Sequence, residues 1–499
     1  MKHYLLLFVA LCTFISVQAQ SDSKYQKGLA AYKAGNYPEA VKWYYKAAKR
    51  GNAAAQYDLG ICYYYGYGVT KNVPEAVKLI HLAAEQGVAE AQFDIGLCYA
   101  DGEGVTRNLN EATKWWHLSA EQGNAMAQYY LGSCYYHGDG VTKDLNEAAK
   151  LFYQAAEQGV ADAQHSLACC YQNGDGVTKN PIEAVKWFHK AAEQGFAAAQ
   201  YKLGYCYANG EGVLKDLHEA TKWLFKAAEQ GIADAQFHIG YCYAEGQGGV
   251  TKDLSEAINW YRKAAELGHA GAQHNLGYCY ENGEGITKDL TEAAKWYLKA
   301  AEQGVPDSQY NLGNCYFDGK GITKDLTQAV KWYRKAAEQG YSFAQNSLGI
   351  CYANGYGITK DLFEAVKWYY KAAEQDNATA QRNLGNCFDE GKGVTKNLIE
   401  AAKWYQKAAE LGDADAQYNI GLCYESGRGV TRDASEAVKW YRLAAEQGVM
   451  KAQSSLGYCY HYGIGVPKNL NEAVIWYREA AKQNSILAQS ALKILGETW

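Results

Sequence analysis

A single motif, repeated head to tail with a nearly constant period, constrains the fold of this chain more than any other feature. Residues 52–87 read NAAAQYDLGICYYYGYGVTKNVPEAVKLIHLAAEQG, and residues 88–123 repeat the pattern as VAEAQFDIGLCYADGEGVTRNLNEATKWWHLSAEQG. Twelve copies follow one another to Asn484, each of 36 residues except the copy from Ile232 to Gly268, which has 37. Such a period is typical of stacked supersecondary units that contact mainly their neighbours. The sequence therefore predicts a solenoid.

The first half of each copy has the apolar spacing of a helix. In the segment from Ala414 to Tyr424, apolar residues stand at Ala416, Ile420 and Cys423, three or four positions apart. The segment ends at a G-x-G pair, whose glycines can adopt the left-handed backbone conformation that terminates helices. We predict the first helix of each repeat over this half.

The second half opens with a pattern typical of a helix N-terminus. Asp289 is followed three residues later by Glu292, and Asp361 by Glu364, which predicts a capping box in both copies. A Trp-Tyr pair and an Ala-Ala-Glu ending follow in most copies. This half is predicted to form the second helix.

Two residues of the first helix recur with little change and indicate packing constraints. A glycine stands mid-helix in every copy except at Ala168, although glycine costs a helix about 1 kcal/mol relative to alanine. We therefore expect the second helix to approach closely there, with its large Trp or Tyr above the glycine. A glutamine near the helix start, such as Gln56 or Gln453, is expected to make a structural hydrogen bond at the joint between repeats.

The two ends of the chain differ from the repeats. Lys2 and His3 precede an apolar run and small residues, which predicts a secretory signal peptide over 1–19, cleaved after Ala19. Residues 20–51 are expected to form a capping hairpin, residues 52–484 the twelve repeats, and residues 485–499 a C-terminal capping helix. We expect an exported protein, periplasmic or extracellular if bacterial, with no membrane span in its mature form.

Charge and cysteine positions exclude some classes of function. The formal net charge is −5 and no basic stripe is present, so a nucleic-acid partner is not expected. One cysteine occupies the same position in each copy, from Cys62 to Cys459. Equivalent points of stacked repeats lie about 8–10 Å apart, whereas a disulfide requires Cα atoms within about 7 Å. We interpret these cysteines as small buried apolar residues.

The consensus of the copies resembles the Sel1-like repeat, a relative of the tetratricopeptide repeat with a longer loop between its helices. The resemblance covers residues 52–484, and the preceding hairpin is similar to a plain tetratricopeptide repeat. It implies an all-α fold, a right-handed solenoid superhelix of stacked antiparallel helix pairs. It also implies an adaptor that holds proteins or peptides. One cysteine-rich branch of the family has two cysteines in each repeat, whereas this chain has one.

The predicted partner surface lies on the first helices, where one stripe differs between copies while its neighbours stay the same. Asparagine amides can donate to and accept from an extended peptide, and tyrosine rings add apolar contact area at low entropy cost. A solvated helix surface is the competing interpretation. The candidate partner-binding residues are Asn275, Asn311, Asn383, Asn419, Tyr205, Tyr241 and Tyr278.

No catalytic set, metal site or cofactor is predicted, because no nucleophile with a neighbouring base and no complete ligand set breaks the repeat. We expect a non-catalytic scaffold that binds proteins or peptides along its concave face. The alternative is a binder of cell-wall fragments or oligosaccharides, since tyrosine, asparagine and aspartate also suit sugars. The identity of the partner and the oligomeric state stay open.

Overall fold

The computed structural model describes residues 22–498, and within that range the chain forms 27 helices and no strand. The chain divides into two compact units, with the boundary between Lys252 and Asp253 in the loop of the 37-residue repeat. The first unit contains α1 (Ser23–Lys33), α2 (Tyr37–Ala48), α3 (Ala53–Tyr65), α4 (Val73–Glu85), α5 (Ala89–Asp101), α6 (Leu109–Glu121), α7 (Ala125–His137), α8 (Leu145–Glu157), α9 (Ala161–Asn173), α10 (Pro181–Glu193), α11 (Ala197–Asn209), α12 (Leu217–Glu229) and α13 (Ala233–Glu245). The second contains α14 (Leu254–Glu266), α15 (Ala270–Asn282), α16 (Leu290–Glu302), α17 (Pro306–Asp318), α18 (Leu326–Glu338), α19 (Ser342–Asn354), α20 (Leu362–Ala373), α21 (Ala378–Glu390), α22 (Leu398–Glu410), α23 (Ala414–Ser426), α24 (Ala434–Glu446), α25 (Met450–Tyr462), α26 (Leu470–Lys482) and α27 (Ile486–Leu495).

Within each unit, consecutive helices are joined by short connections and pack as antiparallel pairs. Odd-numbered helices are the first helices of the repeats and even-numbered helices the second. The predicted all-α solenoid fold of stacked helix pairs is confirmed. None of the described helices is both long and apolar enough to span a bilayer. The predicted signal peptide lies outside the described residues.

Two glycines shape the connection within a repeat. Gly427 ends α23 with a φ of 73°, and its N–H donates to the carbonyl of Cys423. Gly429 also has a positive φ, and a Cβ on it would lie 1.9 Å from the carbonyl oxygen of Leu398 in the preceding second helix. The first glycine therefore ends the helix, and the second allows the loop to rest against the previous repeat.

The second helices begin with the predicted N-cap but lack the second half of the capping box. The Asp289 carboxylate accepts hydrogen bonds from the backbone N–H groups two and three residues later, at 2.9 and 3.1 Å. The N–H of Asp289 donates to the carbonyl of Tyr280, so Glu292 finds no free donor there and pairs with Lys295 at 2.6 Å instead. The second helix that Asp361 caps is built in the same way. The capping-box prediction is wrong in this respect.

The mid-helix glycine of a first helix lies directly beneath an aromatic ring in many repeats. A Cβ on Gly421 would lie 2.6 Å from the ring of Tyr441, and a Cβ on Gly313 would lie 2.6 Å from the ring of Tyr333. The predicted close approach of the two helices is confirmed. In these copies the ring belongs to the tyrosine and not to the tryptophan beside it.

A pair of glutamines joins one repeat to the next. Gln417 donates from Nε2 to the carbonyl of Ala409 at 3.2 Å, and its Oε1 accepts a hydrogen bond from Nε2 of Gln447 at 2.8 Å. The arrangement recurs in both units. The predicted structural hydrogen bond at the joint is confirmed. The second glutamine, at the end of the second helix, is an additional partner that was not predicted.

One joint of the second unit lacks this second glutamine. Leu411 stands at its position, and Gln381 still donates to the carbonyl of Ala373 at 3.0 Å. The buried Oε1 of Gln381 has no hydrogen-bond partner. Leaving a buried acceptor unsatisfied costs about 1–3 kcal/mol.

All cysteines in the described range are free thiols, and those at the repeated position are buried or half-buried. Burial raises the pKa of Cys351 to about 12, and that of Cys206 to about 11. A neutral thiol at these positions agrees with the prediction of a small apolar core residue.

Replacing Leu411 by glutamine should raise the free energy of unfolding by about 1 kcal/mol, because the new amide would donate to Gln381. The matched control Gln447→Leu removes the corresponding donor to Gln417 and should lower that free energy by about 1–3 kcal/mol. Urea-induced unfolding followed by circular dichroism measures both changes. Changes of the same sign in the two variants would contradict the role of the glutamine pair.

Replacing Gly421 by alanine should destabilise the protein by about 1–3 kcal/mol, because the methyl group would collide with the ring of Tyr441. Gly271 is the matched control: other copies carry Glu90 or Phe343 at its position, so a side chain fits there. Gly271→Ala should be neutral or stabilising by up to about 1 kcal/mol. Thermal melts compare the two variants, and a stabilised Gly421→Ala protein would refute the close approach.

Candidate functional site on the first helices

The candidate surface consists of two rows of residues on the first helices. The asparagine row comprises Asn275 and its equivalents in the other copies, and the tyrosine row comprises Tyr278 and its equivalents three residues later. The structure separates the rows by exposure. The predicted residues of the asparagine row (Asn275, Asn311, Asn383 and Asn419) are half-buried, and those of the tyrosine row (Tyr205, Tyr241 and Tyr278) are exposed.

The three predicted tyrosines of this row point out of the repeat core. Tyr205 and Tyr241, in consecutive copies of the first unit, are 37% and 46% exposed, and Tyr278 in the second unit is 46% exposed. The neighbouring Cys206 and Cys279 are buried. These tyrosine rings therefore remain open to a partner.

The asparagine row is partly used by the protein itself. Nδ2 of Asn383 donates to Oδ1 of Asn346 in the preceding first helix at 3.0 Å. Asn311 lies near the hydroxyl group of the buried Tyr297, which donates to Glu281 at 2.6 Å. Asn275 and Asn419 are half-buried in equivalent positions. The four amides are therefore not all free to bind a partner in the same way. That this row contacts a partner stays a prediction.

The bond between Asn346 and Asn383 is one case of a more general link between consecutive first helices. At the equivalent positions of the first unit, the hydroxyl of Tyr57 donates to Oδ2 of Asp94 at 2.8 Å. The ring of Tyr201 stacks on the ring of His238, with centroids 6.1 Å apart. The residues at these positions therefore differ between copies, but in each of these cases they make a contact between consecutive repeats. This contact was not predicted from the sequence.

Some variation in the tyrosine row also has a structural cause. Asn314 and Asn386 stand in this row, and each accepts a hydrogen bond from a buried tyrosine hydroxyl, that of Tyr333 or Tyr405, at 2.7 Å. In another copy the hydroxyl of Tyr441 instead donates a hydrogen bond to the carboxylate of a glutamate on the first helix. An exposed tyrosine in this row does not bond a buried tyrosine hydroxyl in this way, so this structural cause does not account for it.

Two carboxyl groups of the asparagine row have strongly altered acidity. Burial raises the pKa of Asp58 to about 7, and hydrogen bonds from the hydroxyl groups of Tyr25 and Tyr44 only partly oppose this effect. Burial also raises the pKa of Asp94 to about 7, against the opposing hydrogen bond from Tyr57. Both groups stand where other copies carry asparagine.

This acidity predicts how stability depends on pH. Between about pH 4 and 7 the folded protein holds protons on Asp58 and Asp94 that the unfolded chain has released, so stability falls as pH rises through this window and levels off above about pH 7. Replacing both residues by asparagine should flatten this dependence and stabilise the protein at pH 8 by about 1–3 kcal/mol. Melting temperatures between pH 4.5 and 8.5 provide the test. An unchanged pH slope in the double variant would contradict the assignment.

A second exposed surface was missed by sequence reasoning. Phe363 in α20 and Ile399 in α22 are 63% and 68% exposed, at a position where Thr291 and most other copies are polar. Phe363 lines an open groove together with Phe388 and the loop 393–397. A comparison of this position among the copies could have revealed it, because large apolar residues replace polar ones in consecutive repeats.

The described residues contain no group of three or more His, Cys, Asp or Glu side chains that could hold a metal ion. Within the described range, one cysteine stands outside the repeated position: Sγ of Cys169 lies 3.8 Å from Nε2 of His165. Burial raises the pKa of Cys169 and lowers the pKa of His165 to about 4, so both groups are held neutral near pH 7. This pair therefore lacks the thiolate character of a reactive cysteine.

The Sel1 repeat family matches thirteen consecutive segments of the chain, from residue 25 to residue 485. The segments follow one another directly, except that residue 450 falls between the last two. The chain belongs to the Sel1 repeat family. The match includes residues 25–52, the N-terminal hairpin, where Gly28 lies beneath Tyr44 as in the later Sel1 repeats. Sel1 repeat solenoids are typical of protein-interaction scaffolds and are generally non-catalytic.

Two solved structures of Sel1 proteins resemble the chain. The c5321 protein of uropathogenic Escherichia coli, described as a protective antigen displaying an SLR fold, is 35% identical, with a TM-score of 0.79 over 92% of this chain and 98% of the other. A Sel1 repeat protein from Oxalobacter formigenes is 32% identical, with a TM-score of 0.51 over 63% of this chain and 93% of the other. No curated protein matches the chain.

Proposed function

We propose that this Sel1 protein is an exported, non-catalytic adaptor that binds a protein or an extended peptide along its first helices. The observation that carries the proposal is the exposure of Tyr205, Tyr241 and Tyr278 on helices whose shared positions are buried in the core. Tyrosine is enriched in protein interfaces and among the residues that dominate binding energy. Nothing in the packing of the repeat requires an aromatic ring at this position, since Ser133 occupies it in another copy.

The half-buried asparagines would supply polar contacts beside these rings. Asn275 lies one helical turn before Tyr278, so an amide and a phenol ring stand next to each other on α15. A peptide that buries the ring could place a backbone group within reach of the amide, whose two donors and one acceptor oxygen suit a main-chain partner.

Export is part of the proposal. It rests on the charged start, the apolar run and the small residues that precede Ala19 in the sequence. N-terminal sequencing of the protein isolated from the producing cell tests it: a mature chain that begins near Gln20 supports export, and an intact N-terminus contradicts it.

A cell-wall fragment or oligosaccharide is the second candidate ligand. The exposed rings of Tyr458 and Tyr462, with centroids 4.6 Å apart, offer apolar faces of the kind on which sugar rings pack. The protein candidate is favoured because exposed tyrosines recur in consecutive copies of the first unit, whereas sugar sites need polar groups that converge on one ring.

A capture experiment separates the two candidates. The wild-type protein, the Tyr205→Ala/Tyr241→Ala variant and the control Ile182→Ala are immobilised and exposed to envelope and secreted fractions of the producing cell. Ile182 is 59% exposed on a second helix, so the control removes an exposed apolar side chain outside the proposed surface. Bound proteins and glycans are quantified by mass spectrometry.

We expect at least one protein to be retained by the wild type and the control and to be reduced at least about tenfold on the double variant, as the loss of two interface tyrosines costs at least about 1.4 kcal/mol. Equal retention by all three proteins would contradict the proposed surface. Enrichment of muropeptides or oligosaccharides alone would replace the protein partner by a glycan.

A further inference from the structure

A tryptophan on the second helix covers the joint with the preceding repeat in most copies. Trp187 and Trp223 stand at this position in the first unit and are 5% and 8% exposed. Measured between ring centroids, Trp187 lies 6.0 Å from Tyr153 on the preceding second helix. Trp223 lies 5.5 Å from His189 in the same arrangement. In α8 the position carries Leu151, which has no ring to extend toward α6.

An open groove lies at this joint, between α6 and the repeat that follows it. The groove is lined by His117 and Leu118 of α6, by Leu131 and Tyr135 of α7, and by residues of the loop 138–142. Leu131 belongs to the buried core of its repeat. The groove therefore reaches from the solvent to the core.

The groove lies where other repeats place the tryptophan ring. Leu131 and Tyr135 are the equivalents of Leu203 and Tyr207 two repeats later. Leu203 belongs to the apolar cluster that contains Trp223, and Tyr207 packs against this cluster. An aromatic ring is thus the group that the protein itself packs among these residues.

A groove at the equivalent joint in the second unit, where the tryptophan is present, is shallower. It is lined by Phe388 and the loop 393–397, but not by Leu384, the equivalent of Leu131. Leu384 is fully buried in the same cluster as Trp404. The replacement of tryptophan by leucine is therefore what opens the groove to the core.

The exposure of His117 shows the effect of the missing ring. His81, His117 and His189 occupy the same position of three second helices, and each lies within 3.5 Å of the carboxylate of a glutamate four residues later. The ring of Trp115 packs on His81 with centroids 5.3 Å apart, as Trp223 does on His189. The side chains of His81 and His189 are 32% and 41% exposed, whereas that of His117 is 52% exposed. The imidazole ring of His117 is open on the side that a tryptophan covers elsewhere.

We propose that the groove between His117 and Leu131 binds an aromatic side chain of a polypeptide. Leu151 fills the part of the space next to the α8 backbone, so the vacant part corresponds to the outer ring of an indole, and a single aromatic ring is the expected occupant. Aromatic pairs add a specific attraction to the burial of apolar area, and the open imidazole face of His117 offers such a pairing.

The shape and the edge of the groove favour a polypeptide over a free aromatic molecule. Pockets for small molecules enclose most of the ligand surface, whereas this groove is open along its length, so a chain that carries the ring can continue out of it. Asn110 and Thr142 line the groove as well, and their side chains can exchange hydrogen bonds with a peptide backbone. The site lies away from the exposed tyrosines of the first helices and does not depend on the function proposed for them.

Titration of the full purified protein with N-acetylphenylalanine amide tests the site, with the ring signals of ¹³C-labelled histidine as the readout and His117→Gln to assign the signal. We expect the His117 signal to shift and to saturate with a Kd of about 1–10 mM, because a single ring in an open groove binds weakly. His81 and His189 are internal controls, since a tryptophan ring already covers them. N-acetylalanine amide should shift none of the three. A His117 signal that moves no more than those of His81 and His189 would overturn the proposal.

Two exchanges of leucine and tryptophan test whether the missing ring makes the site. Leu151→Trp should cover His117 and abolish its response to the probe, and Trp223→Leu should open the equivalent groove, so that the His189 signal begins to respond. Circular dichroism shows whether each variant is folded. An unchanged response of His117 in folded Leu151→Trp protein, or a silent His189 in folded Trp223→Leu protein, would contradict the proposal.

A longer probe distinguishes a polypeptide from a free aromatic molecule. The capped pentapeptide Ala-Ala-Phe-Ala-Ala should bind at least about tenfold more tightly than benzyl alcohol, because its backbone reaches the polar edge of the groove. Equal affinities of the two probes would assign the groove to small aromatic molecules and overturn the polypeptide as its occupant.

Discussion

The contact between a helical glycine and a buried aromatic ring is the interaction on which the rest of each repeat depends. A Cβ on Gly421 would come within 2.6 Å of Tyr441, so the two helices are closer there than any other residue would allow. This spacing buries the Ala-Ala end of the second helix and brings its last carbonyl groups within reach of the glutamine of the next first helix. The energy that glycine costs the helix, about 1 kcal/mol, is offset by the packing of the ring.

Much of this framework could be predicted from sequence, because a residue that packs identically in every copy leaves a repeated signal. The glycine, the glutamine and the buried cysteine are of this kind. The capping box was predicted wrongly because the sequence does not show that the N–H of Asp289 is already taken by Tyr280. The second glutamine of the joint was missed because its exposed position at a helix end suggested no structural role.

The candidate site was harder to predict, because variable positions can serve either the protein or its partner. Asn383 stands at a position that varies between copies, yet its amide donates to Asn346, and Asn314 accepts a hydrogen bond from a buried tyrosine. Exposure distinguishes residues that serve the protein from residues open to a partner. The rings of Tyr205 and Tyr241 are exposed and are not packed in the repeat core. The surface at Phe363 and Ile399 was missed although the copies differ there in sequence, with large apolar residues in place of polar ones. Only the structure shows that these side chains are exposed.

The central claim is that shared positions build the solenoid, whereas exposed residues at variable positions of the first helices meet the partner. Photo-crosslinking in the producing cell tests it most directly, with a benzophenone side chain placed at Tyr241 or, for comparison, at Ile182, an exposed position on a second helix. The account predicts a discrete protein adduct from position 241 and none from position 182. Adducts from position 182 alone, or the same adducts from both positions, would contradict it.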